Sequence, residues 1–278
     1  MTAYAKIPKV LPARTSMEYK QKIPKIIWQT MKTNRVPVFM KNYADTWIEH
    51  NPEYEYRFHD DNDITEFITN EFPDYLEGYK KLKYGASKAD LWRYLIIYKY
   101  GGVYADMDCR CINPLRQWID PEAAFVTQLG INKDICQWLI ISTPLNPVFL
   151  KAAQKTLQNI ELNSTKAAHH GFEFTNNKLI VRVNTPLNKF NHAVLGLSGP
   201  PVLQEVAEEC FEEGSISGIL EFTQVVCVSG VISCQMNGHV RHDCGTAEYK
   251  KALRKVKSQH YNWFISRIKR KLIAIFNQ

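Results

Sequence analysis

The chain has 278 residues, enough for one large domain or two small ones, and its 45% hydrophobic and 12% aromatic content is that of an ordinary globular protein. Its net charge of +7 is unevenly spread: the last 30 residues hold nine Lys/Arg and no Asp/Glu, which leaves the preceding 248 at −2. A near-neutral body argues against an enzyme that grips nucleic acid in a basic groove, and seven cysteines scattered without a CxxC pair argue against a disulfide scaffold and for a reducing cytosol.

Residues 1–22, "MTAYAKIPKVLPARTSMEYKQK", are polar with scattered prolines and read as an irregular lead-in without an apolar run of signal-peptide length. No stretch approaches the roughly 18–20 apolar residues of a membrane span. The expectation is a cytoplasmic protein, not a Golgi-type anchored one. "KIIWQT" (Lys25–Thr30) follows Pro24 and reads as a short buried strand. In the next block Tyr54, Tyr56 and Phe58 alternate with charged residues, the period-2 signature of a strand. Asp60–Asp63 then supply cap residues for a helix through Phe67 and Ile68.

"ASKADLWRYLIIYKYGG" is the clearest helix, with Ser87 as the expected N-cap and Gly101-Gly102 as the stop. Apolar residues almost surround it, so it should be buried on most sides. "GVYAD" is a short strand running out at the aspartates. "QWLIIST" is another apolar strand, and a helix is expected from Pro147 to Asn159. Residues 160–192, with His169-His170 and Asn176-Asn177, read as a long loop or lid, and "GPPVLQEVAEECFEE" as a helix opened by prolines. Strands alternating with helices predict an α/β layered fold, whose ligands gather at the carboxyl ends of strands. Asp106 and Asp108 lie at such an end.

Two carboxylates one residue apart suit a hard divalent cation, which takes oxygen ligands and keeps places open for phosphate oxygens. Such a cation neutralises charge on a departing nucleotide diphosphate. A solvated acidic turn is the alternative. Cys109 and Cys111 could instead begin a zinc site, but zinc needs two more ligands at tetrahedral geometry, and His239, His242 and Cys244 lie far along the chain. Buried free thiols are the simpler reading. Asp90 and Arg93 share one face of the long helix, with Lys88 near its start, either as an internal ion pair or as the polar lining of a sugar pocket.

The segment "SKADLWRYLIIYKYGGVYADMDCRCINPL" resembles the signature of the family 32 glycosyltransferases with a DXD sugar-binding motif, a group that includes yeast mannosyltransferases and bacterial capsule and lipopolysaccharide transferases. It is more distantly similar to the glucosyltransferase domain of large clostridial toxins. "IPKIIWQTMKT", "NPEYEYRFHDDNDITEFI", "STPLNPVFLKA", "LGLSGPPVL" and "HDCGT" fall in family order. The resemblance implies a GT-A (Rossmann-like) glycosyltransferase fold, with a mostly parallel mixed sheet flanked by helices. The catalytic domain would span 23–248. It further implies a nucleotide-sugar donor, UDP-linked by preference, with Mn2+ or Mg2+, and a retaining reaction.

Carried over by position, the resemblance makes Asp106 and Asp108 metal and donor ligands and His242 a third metal ligand, with a solvated turn histidine as the alternative. Asp90 and Arg93 would hold the donor sugar. Trp28 would stack on the base, its alternative being a core tryptophan. Gln29, Thr30, Tyr104, Gln137 and Thr246 would complete the donor pocket. Thr246 stands where the family has Ser, Ala247 where it has Trp, and Gln137 where relatives often have Asn. No carboxylate stands out as a covalent nucleophile, so front-side displacement is expected.

Residues 249–278 end in "HYNWFISRIKRKLIAIFNQ", with apolar residues at 261, 264, 265, 268, 272, 275 and 276 and a basic face. This reads as an amphipathic helix that docks on an anionic membrane or packs on the domain. The resulting expectation is a transferase acting at the inner face of the plasma membrane. Its acceptor would be a glycan, lipid-linked in bacterial lipopolysaccharide or capsule synthesis. A toxin-like protein glycosyltransferase and a degenerate sugar-binding scaffold are the competing readings.

Overall fold

The computed structural model describes residues 3–17, 19–129, 135–166, 173–175, 178–180, 197–215, 234–236 and 240–242. The expected C-terminal helix, His169-His170, Asn176-Asn177, His239, Cys244 and Thr246 lie outside these residues.

Strand β1 (Tyr4–Lys6) and strand β2 (Val10–Leu11) come first, in the stretch expected to be irregular. They are too short to carry a period-2 signal and exist because partners offer them an edge. β1 pairs antiparallel with β4 (Arg35–Pro37), and β2 with β5 (Glu55–His59). β3 (Ile26–Thr30) and β5 form where alternation placed them. Helix α1 (Val38–His50) lies between β4 and β5 and was not visible in the sequence. Its buried positions Met40, Ala44 and Trp47 keep helical spacing but are diluted by Asn42, Asp45 and Thr46. Helix α2 (Asp61–Glu71) starts with a capping box in which Asp60 accepts from the Asp63 amide and Asp63 from the Asp60 amide. Such caps stabilise a helix by about 1 kcal/mol.

After α3 (Leu76–Lys81), helix α4 (Gly85–Tyr100) runs into β6 (Gly102–Ala105). Ser87 is not its cap: the helix begins two residues earlier, Tyr84 takes the cap position, and Ser87 is buried in the first turn. β7 (Cys109–Cys111), β8 (Phe125–Leu129) and β9 (Ile135–Ser142) follow. Helix α5 (Pro147–Lys166) outlasts the expected end at Asn159, so the segment taken for a loop begins helical. β10 (Glu173–Thr175) and β11 (Lys178–Ile180) pair as a hairpin in that same segment. Helix α6 (Pro200–Glu212) opens on its prolines as expected, and β12 (Cys234–Met236) and β13 (Val240–His242) close the described chain.

The main sheet has the order β2-β5-β3-β6-β9-β8. Its centre, β5-β3-β6, is parallel, and antiparallel strands flank it on both sides. Successive residues of β3 face opposite layers. Ile27 joins an apolar cluster with Met40, Ala44 and Trp47 of α1, whereas Trp28 joins one with Leu91, Leu95, Phe149 and Val206 of α4, α5 and α6. A second, three-stranded sheet, β12-β13-β7, branches off immediately after the aspartates. Among the described residues no helix is long and apolar enough to cross a membrane.

Candidate active site

β6 is buried along its whole length and is pinned at both ends. At its start the backbone of Gly101 is at φ +64° and that of Gly102 at φ +96°. A Cβ on Gly102 would sit 2.6 Å from the Ile26 carbonyl oxygen, and one on Gly101 2.7 Å from that of Ser142. Only glycine allows helix and strand to meet this closely. At its far end the Asp106 amide donates to the Trp138 carbonyl at 2.9 Å, and the Cys109 amide donates to the Asp106 carbonyl at 3.0 Å, closing a tight turn. Met107 drops into the core below, while Asp106 and Asp108 on either side of it remain half-buried. The pattern Asp-Met-Asp thus anchors the turn by its middle residue and leaves two carboxylates at the carboxyl end of a central strand.

Helix α4 brings Asp90 and Arg93 under this turn. Both are nearly buried, at 4% and 6% exposure, while the Asp106 side chain keeps 30%. The Arg93 Nη2 lies 3.1 Å from Asp90 Oδ1 and 3.4 Å from Asp106 Oδ1, bridging the helix to the turn. Its Nη1 donates to the Gln137 carbonyl at 2.8 Å, and its guanidinium sits 4.5 Å over the Tyr104 ring. Tyr104 donates its hydroxyl to Asp106 Oδ1. Burial pushes the Asp90 carboxyl up to about 7, against the pull of Arg93 and a hydrogen bond from Ser198. Burial also works against the charge of Arg93, but Tyr104, Asp106 and Asp90 outweigh it and hold the guanidinium above its ordinary value. The result is a fixed cation flanked by two carboxylates, suited to orienting a polyhydroxylated, anionic ligand.

The other expected site residues divide. Thr30 ends β3 at the same edge, its hydroxyl donating to the His59 carbonyl at 2.7 Å. Gln29 is fully buried. Its amide nitrogen donates to the Asp106 carbonyl at 3.3 Å and its oxygen accepts from the Tyr56 hydroxyl at 2.9 Å, so it braces the turn from beneath and is closed to a ligand. Trp28 is the core tryptophan and not an open stacking platform. At 1% exposure it donates to the Gly101 carbonyl at 2.9 Å, with Tyr100 stacked on it at 5.8 Å. Its position in β3 faces α4 and α5, away from the strand ends. Gln137 is also turned inward, donating to the Ser198 carbonyl at 2.9 Å and to the Tyr94 hydroxyl, so its amide nitrogen faces protein and not a sugar. His242 ends β13, whose register sets it opposite Cys109, the residue after Asp108.

Ser198 and Tyr94 were not singled out in the sequence. Tyr94 reads there as one more apolar position of α4. Ser198 is one polar residue within "LGLSGPPVL", with no spacing that links it to Asp90.

Among the described residues the thiols beside the aspartates join no metal site. Cys109 and Cys111 are buried in the apolar layer against α1, and burial pushes the Cys111 thiol up to about 12. It therefore stays a thiol, donating to the Asn113 carbonyl at 3.2 Å. The aspartates fit a cation of another kind. Among the described residues no three metal-ligating side chains gather around one point. Two half-buried carboxylates without a full protein cage are the donor set that magnesium or manganese takes when phosphate oxygens complete its shell.

The fold is that of a GT-A glycosyltransferase. The ligand-free glycosyltransferase domain of the YGT toxin superposes with a TM-score of 0.51 over 71% of this chain and 80% of that one, at 8% identity. Within that fold, residues 37–125 match the family described as glycosyltransferase sugar-binding region containing DXD motif, a span that includes Asp106-Met107-Asp108. It is 38% identical over 138 residues to mannosyl phosphorylinositol ceramide synthase SUR1 of Saccharomyces cerevisiae, covering 48% of this chain and 34% of that protein. It is 43% identical over 89 residues to inositol phosphoceramide mannosyltransferase 3 of Schizosaccharomyces pombe, covering 32% of this chain and 25% of that protein. The matches thus span about a quarter to a third of these relatives' own lengths.

Proposed function

We propose that the protein is a metal-dependent glycosyltransferase that moves a hexosyl group from a nucleotide-sugar to a glycan or lipid-linked acceptor with retention. The observation that carries this reading is the single cluster in which Arg93 joins Asp90 of α4 to Asp106 at the end of β6, with Asp108 two residues on. Asp106 and Asp108 would hold a divalent cation, which when bound offsets the charge growing on the leaving diphosphate. Arg93 and Asp90 would hold the donor sugar, the guanidinium donating to the glycosidic oxygen side and the carboxylate accepting from sugar hydroxyls. Asp90 is locked between Arg93 and Ser198, which favours a binding role over attack on the anomeric carbon. Front-side displacement, with the acceptor's proton passing to the departing diphosphate, is the mechanism this arrangement supports.

The relatives' names refine the substrate. They are mannosyltransferases acting on inositol phosphoceramide, so a mannosyl donor comes first, ahead of the UDP-hexose expected from sequence. A bacterial lipopolysaccharide or capsule acceptor gains no support from these yeast relatives, and a lipid acceptor is retained on their account. A basic amphipathic segment at 249–278 fits catalysis at a membrane surface, which we place at the cytoplasmic face. Deleting 249–278 should then abolish binding to anionic vesicles.

The deciding experiment is a donor-hydrolysis screen with manganese or magnesium and a panel of UDP- and GDP-sugars, run beside an Asp106→Asn/Asp108→Asn variant. Release of nucleotide from one donor, lost in the variant, is the expected result. Silence on every donor, without metal-dependent nucleotide binding, would leave a sugar-binding scaffold.

A further inference from the structure

We infer that Ser198, two residues before α6, is a positioning residue that sets the Asp90 carboxylate for the donor sugar. The inference rests on the glycosyltransferase reading above and assigns a role to a residue 108 positions from the aspartate it serves.

The two oxygens of Asp90 are held separately. Oδ1 faces Arg93 Nη2 at 3.1 Å, and Oδ2 accepts from the Ser198 hydroxyl at 2.8 Å. Without Ser198 the carboxylate could pivot about its link to Arg93. The serine itself is clamped. Its carbonyl accepts from the Tyr94 hydroxyl at 2.8 Å and from Gln137 Nε2 at 2.9 Å, filling both lone pairs. Gln137 also donates to the Tyr94 oxygen, which closes a ring of three groups drawn from α4, β9 and the segment just before α6. Ser198 is fully buried, and apolar residues of α6, among them Leu203, Val206 and Cys210, seat the helix in the same core layer as α4. The peptide at Ser198 is thus fixed on one side by hydrogen bonds and on the other by packing, with its hydroxyl on Asp90. A carboxylate oxygen with one such bond keeps a second lone pair for a ligand hydroxyl.

A structural brace and a positioning residue differ in what their loss does to binding. If Ser198 only docked α6, its removal would weaken the whole site. If it sets Asp90, the sugar half of the donor suffers and the diphosphate half does not. The test is calorimetric titration with manganese of GDP-mannose and UDP-glucose against GDP and UDP. The proteins compared are the full chain, Ser198→Ala and Ser198→Cys. Cysteine nearly preserves the volume but is a poor donor, so it carries the test if the alanine variant fails to fold.

Both variants should raise the Kd of the sugar nucleotide that wild type binds by about tenfold, and that of the nucleoside diphosphate by less than twofold. Ser198→Thr, which keeps the hydroxyl, should stay within about threefold of wild type for both. In an Asp90→Asn background Ser198→Cys should add nothing, since the group it orients is gone. Equal weakening of both ligands, or of neither, overturns the positioning role while leaving the transferase reading intact. A wild type that binds neither GDP, UDP nor their sugars overturns both.

Discussion

Asp106 and Asp108 are half-buried at a turn held by Met107 and by the backbone bonds to Trp138 and Cys109, and asparagine keeps an oxygen for the Tyr104 hydroxyl. Replacing both acids with asparagine should therefore leave the thermal midpoint within a few degrees of wild type and abolish metal-dependent nucleotide binding. Equilibrium titration of the nucleotide with and without metal checks this. Asp90 behaves differently because it is buried. Its carboxyl lies at about 7 in the fold, above the ordinary value of 3.8. A raised carboxyl contributes stability that is present below its unfolded value and is lost as pH rises through the folded one. In metal-free buffer the wild type should therefore lose ground to Asp90→Asn between about pH 4 and 7, by at most about 1.4 kcal/mol per pH unit. Melts of both proteins at pH 5 and pH 8 read it directly: the difference between Asn and Asp should move in favour of Asn at the higher pH.

At this scale the chemistry was legible and its bracing was not. A carboxylate pair after an apolar strand declares itself by residue type. That Gln29 and Gln137 face inward, or that Ser198 reaches Asp90, depends on which neighbours close over them. An amide side chain carries no sign of whether its partner is a ligand or a carbonyl. Trp28 is open to two readings in sequence for the same reason, and the close approach of Tyr100 and Gly101 makes it a core residue.

Among the elements, the junction between α4 and β6 is the one most exposed to substitution. Gly102→Ala would force a Cβ to 2.6 Å from the Ile26 carbonyl at positive φ. We expect a loss of about 2–5 kcal/mol, read as a fall in the urea midpoint. Gly85→Ala is the control. It opens the same helix, meets nothing within 4 Å and has no positive φ, so it should be neutral or stabilise by about 0.4–1 kcal/mol. α4, β3, β5, β6 and β9 carry dense signals and form where the sequence places them, as do α2 by its acidic cap residues and α6 by its prolines. α1 was missed because three buried positions among polar residues make a weak stripe, and the cap of α4 was misplaced because a serine near a helix start is a common but not obligatory cap.

For the molecule as a whole, the N-terminal residues are structural. β2 covers the edge of β5, and Lys9 reaches Asp60 and Asp63 at 3.0 and 2.8 Å, two partly exposed ion pairs that each contribute at most about 1 kcal/mol. Ile7 is wholly buried in the α1 layer. Removing residues 1–11 should lower the melting temperature and, by baring a sheet edge, promote self-association visible in size-exclusion chromatography. A two-residue strand cannot be recognised from its own sequence, since its cause lies in the edge it meets.

β6 leaves the six-stranded sheet at Ala105 and β7 enters the three-stranded one at Cys109, so the acidic turn is the hinge pin shared by both. A ligand that stiffens the turn must also stiffen the strand pairing beyond it, and linkage makes the effect mutual. Amide hydrogen exchange at Cys109–Cys111 and Val240–His242 should slow when cation and nucleotide bind. Loosening the β7–β13 pairing should, by the same factor, weaken the grip on the cation. Donor occupancy and the pairing of β13 with β7 would then be two faces of one equilibrium, in which the metal reports on a strand more than 120 residues away in sequence.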